Sequence, residues 1–143
     1  MVSERHLSNE NLIPMSSANQ PTSFLEPSLV VFNITTQINE KLTPSSFSQW
    51  RAQFEALLIG YDLLDCVNGE SQCPLSDGTP QSTTIKNRWV RQDKLILSVI
   101  LASTSPSITP LIATTITSHE AWKNYQHCMQ VNRVQGQCNS RKN

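Results

Sequence analysis

Apolar residues in this chain fall into three stripes of helical period, separated by polar and proline-containing stretches. In the first, Phe47, Trp50, Phe54, Leu57, Leu58 and Tyr61 recur at steps of 3, 4, 3, 1 and 3. That is the period of a helix and not the alternation of a strand. Pro44 ends an extended approach, and Ser45 or Ser46 is placed to accept from the open N–H groups of the first turn. Arg51 and Glu55 sit one turn apart on the outer side, and Gly60 is a candidate stop. Asp62 to Val67 adds a short turn with Leu63, Leu64 and Val67 inward, closed by Asn68-Gly69.

The composition of residues 69–82, GESQCPLSDGTPQS, predicts a loop. The second stripe predicts a helix from about Thr84 to Ser103, with Ile85, Trp89, Leu95, Ile96, Val99 and Ile100 inward and Leu97 and Leu101 beside them. It starts narrow and becomes nearly all apolar, the pattern of a central helix. Lys86, Arg88, Arg91, Asp93 and Lys94 are expected on its wet face. Ser105-Pro106-Ser107 breaks it, and a shorter helix over Ile108 to Ile116 takes Pro110 in its first turn, where a missing N–H costs nothing. Thr117-Ser118-His119-Glu120 is a capping box that opens the last helix, with Ala121, Trp122, Tyr125 and Met129 on one side.

Outside these stripes the pattern fades. Residues 1–28, rich in Ser, Asn, Gln and Pro, predict a disordered leader, and residues 135–143 a frayed polar tail. Residues 29–38, LVVFNITTQI, form a short β-branched run with no second strand to pair with, so it is expected to lie along the helices. The fold class is therefore all-α: a small bundle of four to five helices in one domain over 29–134, entered by an extended segment.

Composition agrees with unpacked ends, since 38% hydrophobic and 6% aromatic residues are low for a filled globule of 143 residues. The formal charge is zero but uneven: two basic and four acidic residues over 1–50, five and six over 51–100, four and one over 101–143. The surplus of three at the C-terminal end is thin for a nucleic-acid footprint. No run approaches the roughly 20 apolar residues of a membrane span. The start, MVSERHLSNENLIPMSS, has no apolar signal core, so a cytoplasmic location with reduced cysteines is expected.

Each chemical constellation fails on spacing. Cys66 and Cys73 are seven apart and Cys128 and Cys138 ten apart, neither gap being that of a zinc site. Asp62 and Asp65 lie in a polar stretch without a positioned partner. No serine sits in a nucleophile elbow, and His6, His119 and His127 are not placed to serve one. The four glycines are isolated, so no phosphate-cradling loop forms. Trp50, Trp89 and Trp122 each lie on an apolar stripe and are read as core anchors. No catalytic group, metal, cofactor, membrane or small-molecule substrate is expected.

The order of these motifs resembles the entry of copia-type LTR retrotransposon Gag polyproteins, which are common in plants. Leu42-x4-Phe47-x2-Trp50 is similar to their Leu…Asn-Tyr-x-x-Trp. The Val67-Asn68-Gly69 turn, Trp89 with Asp93, Ser98-Val99-Ile100-Leu101 with Ser103, and Ala121-Trp122 with Tyr125 follow in the family's order. Phe54 and Leu57 belong to the same signature core. The likeness covers about residues 29–134. Ser46 and Phe47 replace the family's Asn-Tyr, and Val99 replaces a tryptophan. The pattern stops near Asn132-Arg133-Val134, ahead of the C-x2-C-x4-H-x4-C zinc knuckle, which implies a truncated element.

The resemblance implies a structural module of a virus-like particle that works by self-association. RNA binding belongs mainly to the knuckle and is expected to be weak here. Two alternatives remain beside it. One is a nucleic-acid-binding module using Lys123, Arg133, Arg141 and Lys142, with affinity that falls steeply with salt. The other is a domesticated protein-interaction adaptor.

Overall fold

The computed structural model describes residues 28–31, 33 and 37–140, with backbone alone for 132 and 135–140. The expected leader lies, apart from Ser28, outside the described residues. Among those described there are five helices: α1 Phe47–Gly60, α2 Leu64–Asn68, α3 Pro80–Ala102, α4 Thr109–Ile112 and α5 Ser118–Ser140. The fold is all-α, and its regular pairing outside helices is one isolated bridge between Leu42 and Thr104.

α1 begins where its stripe begins, but Ser46 does not cap it through its side chain. The Ser46 Oγ accepts from the Thr43 N–H and donates to the Lys41 carbonyl, both at 2.9 Å. The serine closes the turn around Pro44 instead. Trp50, Phe54 and Leu58 are fully buried. Tyr61, expected on the same face, is 39% exposed, because the chain leaves the helix there. The left-handed residue at this exit is Asp62, with φ 57°, and not Gly60. α2 then buries Val67 and ends on Gly69 with φ 88°.

α3 starts four residues before the expected Thr84. Thr79 is the N-cap: its Oγ1 accepts from the Ser82 N–H at 3.2 Å, and Pro80 follows in the first turn. Asp77 secures the cap by accepting from the Thr79 N–H at 3.0 Å, the Thr79 hydroxyl at 2.7 Å and the Ser82 hydroxyl. Those bonds, the Ser82 hydroxyl first, lower the Asp77 carboxyl to about 2. Further along α3, Ile96, Leu97, Val99 and Ile100 are buried. Trp89 is only half-buried and donates its indole N–H to Ser71 Oγ at 2.8 Å, so it pins the loop after α2 rather than anchoring the core. Ile85 is half exposed.

Two extended pieces flank α3: Val30, from the run expected to lie along the helices, sits against the helix itself, and Leu42, outside that run, pairs with the chain that leaves it. Leu42, fully buried, donates its N–H to the Ser103 carbonyl at 2.7 Å and accepts from the Ser105 N–H at 3.0 Å. Val30 is held by one side chain: its N–H donates to Gln92 Oε1 at 2.9 Å, and Gln92 Nε2 donates to its carbonyl at 3.2 Å.

α4 is one turn and not the longer helix expected to Ile116. Pro110 does fall in its first turn. Thr114, Thr115 and Ile116 are β-branched, and the Thr115 hydroxyl donates to the Ile112 carbonyl at 2.7 Å where the turn ends. The capping box of α5 forms in both directions, Glu120 N–H to Thr117 Oγ1 at 3.2 Å and Thr117 N–H to Glu120 Oε2 at 3.4 Å. α5 packs on α2, α3 and α4. Its described backbone is helical to Ser140.

The centre is a four-ring cluster joining α1 to α5. Trp50 stacks on Phe54 with centroids 4.9 Å apart, and meets Tyr125 at 5.4 Å and Trp122 at 5.9 Å. The Tyr125 hydroxyl and the Trp50 indole N–H are buried without a hydrogen-bond partner among the described residues. Burial pushes the Tyr125 phenol well above the usual range.

Asp93 departs most from expectation. It was placed on the wet face of α3 and is 2% exposed. The start of α5 lands on it: the Ser118 N–H and hydroxyl both donate to Asp93 Oδ1, at 2.9 and 2.6 Å. One of the open N–H groups at the head of α5 is thus satisfied by a carboxylate from another helix. On the same side of α5, His119 Nδ1 lies 2.7 Å from the Val67 carbonyl, which can only accept, so this nitrogen carries the proton.

Candidate assembly surface

Among the described side chains of α5, Met129, 7% exposed, is the last that is buried, and Gln130, Val131, Arg133 and Val134 are exposed. The remaining helix from Gln130 to Ser140 extends for about 16 Å at 1.5 Å per residue. Val131 and Val134 are 41% and 61% exposed and, three residues apart, share a face. Beside this stretch runs a groove of about 340 Å³ between α1 and α5, lined by Phe47, Arg51 and Ala52 on one side and Gln126, Met129 and Arg133 on the other. Arg51 Nε meets Glu55 Oε1 at 2.7 Å on its rim. Both side chains are more than a third exposed or close to it, so the pair contributes little to stability. The groove thus combines apolar side chains, Phe47, Ala52 and Met129, with charged ones, Arg51, Glu55 and Arg133.

The signature residues divide by burial. Leu42, Trp50, Phe54, Ile100, Ala121, Trp122 and Tyr125 are buried. Phe47, Leu57 and Trp89 are half-buried, Phe47 because it opens onto the groove. Of the basic candidates, Lys123 and Arg133 are exposed on α5 but ten residues apart. That puts them about 15 Å apart along the axis and about 80° apart around it, so they do not form one patch. Arg141 and Lys142 lie outside the described residues.

Cys66, Cys73 and His119 border a second depression with Ser71 and Trp89. Its thiol is not activated: burial pushes Cys66 up from its ordinary value, against a smaller opposing effect of its hydrogen bond with Ser71. His119 Nδ1 is committed to the Val67 carbonyl. Among the described residues, no three His, Cys, Asp or Glu side chains stand close enough to hold a metal ion. No helix of the described residues is long and apolar enough to cross a membrane.

No protein-family profile and no solved structure matches the chain. Two curated relatives do, over a 97-residue alignment covering 65% of this chain. They are the retrovirus-related Pol polyprotein from transposon RE2 of Arabidopsis thaliana, at 32% identity, and that from transposon RE1 of the same plant, at 31%. The chain spans 7% of the length of either. Over most of its length, then, this sequence is homologous to a short segment of plant transposon polyproteins, and the relationship supports a retrotransposon origin.

Proposed function

We propose that the chain is a non-enzymatic assembly module, corresponding to the N-terminal, capsid-like Gag region of a copia-type polyprotein, and that it acts by self-association in the cytoplasm. The homology to transposon polyproteins supports the origin. The observation that carries the role is the exposure of Val131 and Val134 on α5, 41% and 61%, in the turn and a half that follows Met129. Val, Asn and Gly in QVNRVQGQCNS are weak helix formers, so packing by another molecule would stabilise this end of α5.

Size exclusion with light scattering on the full chain, across a tenfold concentration range, tests this. The parent is expected to grow in mass with concentration, and Val131→Asp/Val134→Asp to remain monomeric with an unchanged melt. A folded monomer at every concentration would refute the proposal.

A further inference from the structure

Cys66 of α2 and Cys73 of the loop that follows border one depression of about 290 Å³, and neither lines the groove of the assembly surface. Several contacts fold that loop back over Cys66. The Ser71 N–H donates to the Asp65 carbonyl at 2.9 Å, which sets Ser71 beside the peptide group leading into Cys66. The Ser71 Oγ accepts from the Trp89 indole N–H at 2.8 Å, and the Ser71 side chain also hydrogen-bonds the Cys66 thiol. Pro74 borders an adjoining groove together with Cys66 and Trp89. Cys73 lies between Ser71 and Pro74, so the chain on both sides of it is held at Cys66. It is two residues from Ser71, at most about 7 Å of extended chain. Residues 72–77 belong to no helix, and the exposed Cys73 thiol donates to the carbonyl of its own neighbour Pro74 at 3.8 Å. Turning it toward Cys66 breaks no core packing.

We propose that Cys66 and Cys73 are a reversible redox pair, closed to a disulfide by a low-molecular-weight disulfide such as oxidised glutathione. The pair does not depend on the assembly role proposed above. The Cys73 thiolate attacks one sulfur of the small disulfide, so a mixed disulfide forms on Cys73 and one small thiolate leaves. The Cys66 thiolate then attacks the Cys73 sulfur, the protein disulfide forms and the second small thiolate leaves. The two cysteine protons end on the two departing thiolates. The protein is oxidised by two electrons, and the small disulfide is reduced by the same two. Exposure sets the order: Cys73 is open to solvent and meets the oxidant first. Burial keeps the Cys66 thiol protonated, so it acts second, with its low thiolate fraction offset by proximity. The bond closes the chain around the Asn68-Gly69 turn. It thereby fastens the end of α2, where the Val67 carbonyl accepts from His119 of α5.

The test incubates the folded full chain in buffers of graded oxidised-to-reduced glutathione ratio, traps free thiols by alkylation and maps the products by mass spectrometry. The expected product is a Cys66–Cys73 disulfide, lighter by two hydrogens, formed independently of protein concentration and retained in Cys128→Ser/Cys138→Ser. Because the fold holds the two thiols together, its equilibrium constant should exceed that of the same chain in urea by roughly tenfold or more. Cys66→Ser should instead accumulate a glutathione adduct on Cys73. Cys73→Ser, at an exposed position that leaves the core intact, should keep Cys66 reduced at ratios that close the parent. A parent that stays reduced, or that carries glutathione on Cys73 without closing, would overturn the proposal. So would pairing of Cys66 or Cys73 with Cys128 or Cys138. An equilibrium constant no higher in the fold than in urea would also overturn it, since nearness along the chain would then account for the bond.

Discussion

Replacing Asp93 by Ala removes a carboxylate that holds the head of α5 from inside the core. Two hydrogen bonds to a charged acceptor are lost, from the Ser118 N–H at 2.9 Å and its hydroxyl at 2.6 Å. Hydrogen bonds to charged groups contribute about 1.5–3 kcal/mol each. Ser118 is fully buried, so water does not readily replace the lost partner. Against this, the variant no longer buries a carboxylate, whose ion-pair contact among the described residues is Lys94 Nζ at 3.8 Å on a half-exposed side chain. The net loss is about 3 kcal/mol, within the range for removing one partner of a buried polar set. For a domain of this size that lowers Tm by about 9–15 °C. Urea melts followed by far-UV circular dichroism measure it. Asp93→Asn keeps an acceptor oxygen and should lose only about 1–2 kcal/mol. Ser118→Ala removes the hydroxyl bond alone, and its effect should shrink in the Asp93→Ala background. A loss below about 1 kcal/mol for Asp93→Ala, or simple additivity with Ser118→Ala, would refute the reasoning.

Three further outcomes follow from the same structure. Tyr125→Phe keeps the ring in the Trp50 cluster and deletes a buried hydroxyl without a partner among the described residues, so stability should hold or rise by about 1 kcal/mol in a urea melt; a fall of that size would show that the hydroxyl is satisfied. Gly69→Ala should cost about 2–4 kcal/mol, since φ is +88° and the new Cβ would stand 2.7 Å from the His119 ring, whereas Gly78→Ala at φ +87° meets open space and should cost about 1 kcal/mol in the same melts. Asp77 has a folded value lowered to about 2, so its bonds to Thr79 and Ser82 hold above the unfolded value near 3.9 and are lost as pH falls through about 2. Carboxyl-carbon NMR should show that titration with local loosening at the start of α3, and Asp77→Asn should abolish it.

Most of the bundle was legible because helical period and capping chemistry point the same way. The Phe47–Tyr61 stripe marks α1, and Thr117 with Glu120 marks the start of α5. The misses have local causes. Thr79-Pro80 is a cap followed by a first-turn proline, but it is set among turn-forming residues whose composition reads as loop. Tyr61 has the right spacing for the core, yet Asp62 turns the chain before that face is complete. Asp93 was assigned by its charge, although Trp89, Asp93, Ile96 and Ile100 recur at steps of 4, 3 and 4, which is a buried stripe. The period carried the signal; the partner, a backbone N–H 25 residues away, did not appear in any local pattern. The grooves are tertiary products, and only Phe47 and Trp89, half-buried members of apolar stripes, hint at them.

This division bears on how function is to be tested. Most residues that carry the Gag resemblance sit inside the fold, with Trp50, Phe54, Trp122 and Tyr125 forming one cluster. Likeness at packing positions transmits an architecture, whereas the choice of partner rests on exposed side chains, where similarity has the least hold. Truncating Trp122 would cost about 3–5 kcal/mol, a large share of the 5–15 kcal/mol typical of a domain. Any assembly would vanish with the fold, and the result would say nothing about the surface. Val131 and Val134 carry no such burden: both are exposed, 41% and 61%. A loss of association on substituting them, with the melt unchanged, can be assigned to the interface, and it separates an assembly module from a fold that merely shares the ancestry of one.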